Sequence, residues 1–135
     1  MRTLEVLLKR ANQQMEQLAG AASETLAARN DVIARRVAAE ASIQAEASMI
    51  DASPLSGVGF AEYLDRQKHR ISELDVELEK AEAEHEVAKS ALMTAFAEVK
   101  KLETLLAQRQ AQARKEELDR EQSEFDERSS QLFGR

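Results

Sequence analysis

Few residues of the sequence have the type and spacing to do chemistry, and the most informative is His85. Glu82 lies three positions before it, a spacing that places two metal ligands on one helix face in carboxylate-bridged four-helix bundles. A homodimer would supply a second copy of the pair, with Glu24 near the same level. The alternative is a polar residue inside an apolar helix seam that fixes its register, as a buried Asn does in other coiled coils. We favour the register role and expect neither a metal nor a cofactor.

The residues needed for catalysis are otherwise scarce. The chain has no Cys and no Gly-rich phosphate loop, and its second histidine, His69, falls on the outer face of a predicted helix. Paired carboxylates act as acid and base only where burial separates their proton affinities, so we interpret the acidic run as a solvated helix face. This run consists of Glu77, Glu79, Glu82, Glu84 and Glu86. We therefore expect a protein that is not an enzyme.

The composition predicts an all-α chain. Among its 135 residues there is no Trp, aromatic residues make up 4%, and only 4 Gly and 1 Pro interrupt residue types that favour helices. A narrow buried seam explains how 33% charged residues coexist with 43% hydrophobic ones. With a net charge of −6 and no basic stripe, nucleic acid is not an expected partner. No apolar run approaches the roughly 20 residues of a transmembrane segment.

The strong helix breakers lie together and predict one turn. Ser53, Pro54, Ser56, Gly57 and Gly59 stand close to one another in a chain with few other breakers. We place helix 1 at about 2–52, the turn at about 53–57 and helix 2 at about 58–132. The fold predicted is a single long antiparallel two-helix coiled coil, or helical hairpin.

Helix 2 carries the clearest periodicity. Alternate steps of four and three residues predict a seam that only Gln67 and His85 break. The seam consists of Phe60, Leu64, Gln67, Ile71, Leu74, Leu78, Ala81, His85, Ala88, Leu92, Ala95, Val99, Leu102 and Leu106.

Helix 1 opens with the same rhythm and then departs from it. The regular positions are Leu4, Leu8, Ala11, Met15, Leu18 and Ala22; a slip at Leu26 leads to Ile33, Val37, Ile43, Ala47 and Ile50. Folding about residue 55 makes the numbers of opposing residues add to about 110. Leu4 then meets Leu106, where the helix 2 seam stops, which favours a hairpin within one chain over a parallel dimer.

From about residue 107, helix 2 overhangs helix 1. Leu118, Phe125 and Leu132 recur every seven residues among charged side chains. Such a stripe either frays in water or docks in the groove or ring of another protein.

Three stretches of the sequence resemble the flagellar export protein FliJ family. They are Phe60-Ala-Glu-Tyr-Leu after the turn, Phe96-Ala-Glu-Val-Lys-Lys-Leu-Glu in helix 2, and Glu121-Gln-Ser-Glu-Phe-Asp-Glu near the C terminus. The family more often has Leu where Phe125 stands. The opening Leu4-Glu-Val-Leu-Leu-Lys-Arg is compatible with the family, whereas the rest of helix 1 matches only in being helical.

The resemblance implies a soluble, cytoplasmic component of the flagellar type III export apparatus, peripheral at the inner face of the cell membrane. It implies a hairpin similar to the central stalk of rotary ATP synthases, which binds and stimulates the export ATPase ring and contacts the export gate and export chaperones. The ATPase-binding residues expected are Leu118, Gln122, Phe125, Asp126, Glu127 and Arg128. The gate-binding residues expected are Tyr63, Gln67, Arg70 and Leu74, unless that stripe simply closes the hairpin near its turn.

Two other functions remain open at the level of sequence. One is a structural coiled-coil spacer or homodimeric scaffold without an ATPase partner, whose seam would be completed between chains. The other is the equivalent stalk of a virulence-type secretion system.

Overall fold

The computed structural model describes residues 2–52 and 57–133, which form a helical hairpin. Helix α1 spans Arg2–Ala52 and helix α2 spans Phe60–Phe133. The predictions of an all-α chain and of a two-helix coiled coil are confirmed. Ser53, Pro54 and Ser56, on which the position of the turn was predicted, lie outside the described residues.

Helix α2 begins at Phe60, slightly later than expected, because of the backbone at Gly59. Gly59 has a φ of +83°, a left-handed conformation that glycine adopts without the clash a Cβ would cause. The Tyr63 N–H then donates to the Gly59 carbonyl at 3.0 Å and closes the first turn of α2.

The helix α2 seam has the predicted register. Every predicted seam position from Phe60 to Leu106 is buried or half-buried, including the polar Gln67 and His85. A strict repeat of this kind keeps one face of a helix turned toward its neighbour. The burial of its side chains thus agrees with the prediction at every seam position of α2.

The chain divides into two compact units, and each contains a part of both helices. In the unit Gln17–Met93, a core forms from Val32 and Ala39 of α1 and from Leu74 and Ala81 of α2, with Ile71 and Leu78 packed against it. Cross-helix contacts join Thr25 to His85, Arg29 to Glu82 and Arg36 to Asp75. The paired residue numbers add to 110 or 111, as predicted for a chain folded near residue 55.

The predicted slip of helix 1 at Leu26 is wrong at Leu26 and Val37, whereas Ile33, Ile43, Ala47 and Ile50 are half-buried as predicted. Leu26 is 39% exposed and Val37 is 57% exposed, so neither belongs to the seam. The seam instead continues in its original register through Ala22, Thr25, Arg29, Val32, Arg36, Ala39 and Ile43. Polar residues occupy three of these seam positions, and apolar residues lie next to them. The apolar pattern of the sequence therefore favours the wrong helix face.

The other unit combines the start of α1, through Glu16, with α2 from Thr94 onward. Val99 is its buried residue, and Leu8, Met15, Leu102 and Leu106 are half-buried. Every side chain in 107–128 is exposed. Among the described residues, neither helix contains a segment long and apolar enough to cross a membrane.

Candidate partner-binding surfaces

The end of helix α2 exposes large apolar side chains in a regular row. Leu118 is 65% exposed, Phe125 is 66% exposed and Leu132 is 76% exposed. Residues seven apart lie on nearly the same side of an α-helix, so the three side chains share one face. Single exposed apolar residues are common on proteins, but a row of them is typical of a surface that another molecule covers.

The polar residues predicted to bind the ATPase lie beside this row. Gln122, Asp126, Glu127 and Arg128 are all exposed. Gln122 Nε2 donates a hydrogen bond to Asp126 Oδ1 at 3.1 Å, one turn along the helix. The structure thus brings all six predicted residues together on one accessible stretch of helix.

The four residues predicted to bind the export gate do not share one environment. Arg70 is exposed, Tyr63 and Gln67 are half-buried, and Leu74 is only 4% exposed within the core. The Tyr63 ring lies 6.2 Å from the Phe60 ring, tilted by 33°. Arg70 is therefore accessible, Tyr63 and Gln67 are accessible in part, and Leu74 packs in the core.

His85 lies within the seam and hydrogen-bonds across it. Its Nδ1 is 3.0 Å from Thr25 Oγ1, and the same hydroxyl donates to the Ala22 carbonyl at 3.0 Å. Because a hydroxyl has one proton, the bond to Ala22 leaves its oxygen as the acceptor for an Nδ1–H of His85. His85 therefore joins the two helices at one fixed level, which is the register role expected from the sequence.

The alternative metal site would need Glu82 and His85 from a second chain as well. The described residues contain no group of at least three His, Cys, Asp or Glu side chains arranged to hold a metal ion. His69, on the outer face as expected, places Nε2 2.9 Å from Glu73 Oε1, and both side chains are largely exposed.

Three arginines of helix α1 face acidic residues of α2, which the sequence analysis did not anticipate. Arg35 donates to both oxygens of Glu77, at 2.7 and 3.4 Å, and its Nε donates to Asp31 at 3.0 Å. The bond to Glu77 is the main cause that raises the pKa of the Arg35 guanidinium.

The neighbouring Arg36 is held in the same way. Its Nε donates to Asp75 at 2.6 Å across the hairpin, and its Nη1 donates to Glu40 at 2.8 Å along α1. The bond to Asp75 is the first cause that raises the pKa of Arg36. The sequence contains a signal for this pair, because Arg36 and Asp75 carry opposite charges and their residue numbers add to 111, as for residues that face each other in the hairpin.

Arg29 is the exception among the three arginines. Its Nε lies 4.0 Å from Glu82 Oε1, too far for a hydrogen bond. That nitrogen is buried and has no hydrogen-bond partner among the described residues.

Phe96 is an exposed aromatic residue that seam analysis missed because it lies outside the seam. It is 52% exposed, and Lys100 Nζ stands 5.3 Å from the centroid of its ring, within cation–π range. Lys100 also pairs with Glu103 at 3.4 Å. The spacing of four residues between Phe96 and Lys100 is the sequence feature that predicts this contact, because it places both side chains on one helix face.

Together, the fold and these surfaces define a helical-hairpin protein of the coiled-coil class with exposed apolar side chains on its helices. The model of one protein family, described as "Flagellar FliJ protein", matches residues 1–135. The chain belongs to the FliJ family, whose members are non-catalytic components of the flagellar export apparatus. Comparison with curated proteins and with solved structures found no match.

Proposed function

We propose that this protein binds the flagellar export ATPase ring as a central-stalk-like coiled coil and stimulates its turnover. The observation that carries the proposal is the row of Leu118, Phe125 and Leu132 on a stretch of α2 whose side chains are exposed from residue 107 to residue 128. Membership of the FliJ family places the chain in the flagellar export apparatus and favours this system over a virulence-type one.

The physical argument rests on preorganisation. Burial of Leu118 or Phe125 in a partner would contribute roughly 1.5–3 kcal/mol for each side chain. These residues already lie on a formed helix, so binding orders fewer rotatable bonds than it would on a disordered tail. Asp126 and Glu127 beside the row favour a ring surface that carries basic groups.

The direct test is ATP turnover by the cognate export ATPase with and without the purified chain. We expect stimulation by the full chain and its loss in a version that ends at Leu106, because truncation removes the whole exposed row. Absence of stimulation by the full chain would reject the proposal and favour the spacer or scaffold.

A charge reversal separates binding from folding. Asp126→Lys together with Glu127→Lys should abolish stimulation and leave helical content unchanged, because both side chains are exposed. The matched control is Glu84→Lys with Glu86→Lys, which makes the same charge change at exposed positions of the other unit. Equal loss in both variants would point to net charge and would reject this surface.

We further propose that the start of helix α2 binds the cytoplasmic domain of the export gate and that the protein handles export chaperones. Arg70, Tyr63 and Gln67 provide the accessible part of this surface, and Leu74 supports it from the core. Binding to the gate and to the ATPase would hold a cytoplasmic protein at the inner face of the membrane without a span of its own.

The gate surface is tested by the affinity of the purified chain for the gate's cytoplasmic domain. Arg70→Glu should weaken binding by about tenfold, the effect of reversing one interfacial charge. Lys68→Glu, exposed on the opposite side of the same helix, is the control and should bind normally. Similar affinities for the two variants would reject the surface.

A further inference from the structure

The exposed row at the end of helix α2 continues toward its middle. Steps of seven, seven, four and three residues from Phe125 back along the helix pass through Leu118, Ala111, Ala107 and Thr104, and all of these are exposed. We call Thr104, Ala107, Ala111, Leu118 and Phe125 the outer stripe. It lies away from the seam formed by Val99, Leu102 and Leu106, so the hairpin does not use it.

Side-chain size changes along the outer stripe. Thr104, Ala107 and Ala111 are small, whereas Leu118 and Phe125 are large and about two-thirds exposed. Two helices pack closely where large side chains of one meet small side chains of the other. A second helix fits the stripe if it places small side chains opposite Leu118 and Phe125 and large side chains opposite the small ones. A second copy of α2 in antiparallel orientation has this order of side-chain sizes.

Charge changes along the same helix in the same place. Residues 99–115 contain five basic side chains and one acidic side chain, whereas residues 116–128 contain seven acidic and two basic ones. An antiparallel second copy lays each block against the block of opposite sign. A parallel copy would lay each block against its like, which is destabilising.

We propose that the outer stripe binds the outer stripe of a second copy of this chain in antiparallel orientation, centred between Arg114 and Lys115. In this register Leu118 faces Ala111 of the second copy and Phe125 faces Thr104 of the second copy. Lys101 and Asp126 lie on the same side of the stripe, and the register brings each near the other on the second copy. A twofold axis makes every such contact occur twice.

Self-association has a consequence for the export ATPase. The dimer covers Leu118 and Phe125, so a chain bound to its copy cannot present them to the ring, and the two complexes compete. This consequence rests on the proposed function, whereas the self-association does not.

The test is sedimentation equilibrium of the full-length chain alone over a range of concentrations. We expect a monomer–dimer equilibrium that Ala111→Glu weakens by at least about tenfold, since it places a charge against Leu118 of the second copy. Ala113→Glu, an identical change on the far side of the same exposed turn, is the control and should leave the equilibrium unchanged. Helical content by circular dichroism should be the same for both variants.

Orientation is tested by exchanging two charges. Lys101→Asp and Asp126→Lys should each weaken the dimer by roughly tenfold, because each acts at two symmetric positions, and the double variant should restore it. A chain that is monomeric at all concentrations, or a dimer equally weakened by Ala111→Glu and Ala113→Glu, would overturn the proposal. A dimer that the double variant fails to restore would overturn the antiparallel arrangement. None of these measurements involves the ATPase, so they are independent of the proposed function.

Discussion

At the scale of single residues, the contact between Thr25 and His85 shows how a polar pair specifies a coiled coil. Apolar seams tolerate shifts by whole heptads because one Leu replaces another at little cost. The bond from Nδ1 of His85 to the Thr25 hydroxyl exists at only one level, and the hydroxyl is itself held by the Ala22 carbonyl. The histidine that looked like half of a metal site in the sequence instead fixes which residues face each other.

Removal of the Thr25 hydroxyl should destabilise the hairpin. Thr25→Val keeps the shape of the side chain but leaves the half-buried Nδ1–H without its acceptor, and we expect a loss of about 1–2 kcal/mol in the free energy of unfolding. Thr25→Ser retains the hydroxyl and is the matched control. Urea denaturation followed by circular dichroism measures both, and equal stability of the two variants would contradict the proposed role of the bond.

At the scale of the helices, α1 and α2 differ in how their seams are built. Helix α2 presents an almost wholly apolar seam, whereas α1 places Thr25, Arg29 and Arg36 in seam positions of the same register. Arg36 is satisfied by Asp75 and Glu40, but Arg29 Nε is buried without a hydrogen bond. The polar seam of α1 therefore contains one arginine bound to two carboxylates and one whose Nε lacks a hydrogen-bond partner among the described residues.

This difference predicts opposite outcomes for two similar substitutions. Arg29→Leu should raise the free energy of unfolding by about 1 kcal/mol, because it removes an unsatisfied buried donor and adds an apolar side chain to the seam. Arg36→Leu should lower the thermal midpoint, because it breaks the bonds to Asp75 and to Glu40. A fall in stability for Arg29→Leu would show that its long-range pairing with Glu82 outweighs the unsatisfied nitrogen.

At the scale of the whole molecule, the two units differ in what supports their helices. In Gln17–Met93 the core and the arginine pairs join both helices, whereas the side chains at 107–128 are exposed. Local opening of a helix costs little where no tertiary packing must be broken. The same molecule thus combines a stably paired portion with a stretch that is suited to exchange partners.

Hydrogen exchange followed by mass spectrometry should reveal this contrast. Amides in 107–133 should exchange much faster than those around Val32 and Leu74, and addition of the export ATPase should slow exchange in 107–133 specifically. Protection that appears only around Tyr63 and Arg70 would contradict the assignment of the ATPase surface to the C-terminal stretch.

The sequence by itself determined the features that depend on local periodicity and on helix breakers. The spacing of apolar residues and the cluster of Gly, Pro and Ser predict the two helices and the seam of α2. They also predict the antiparallel pairing, in which the numbers of opposing residues add to about 110. A helix turns by a constant angle per residue, so a long apolar repeat identifies one face without knowledge of its neighbour.

Only the tertiary structure decided which residues of α1 face the seam and which predicted partner-binding residues are accessible. Leu26 and Val37 were predicted as seam residues but are exposed, Arg29 and Arg36 occupy seam positions that the sequence did not predict, and Leu74 is buried in the core. The physical reason is that the buried stripe of α1 contains Thr25, Arg29 and Arg36, whereas the stripe beside it is more apolar. Which stripe is buried depends on the acidic residues and on His85 that α2 presents to it.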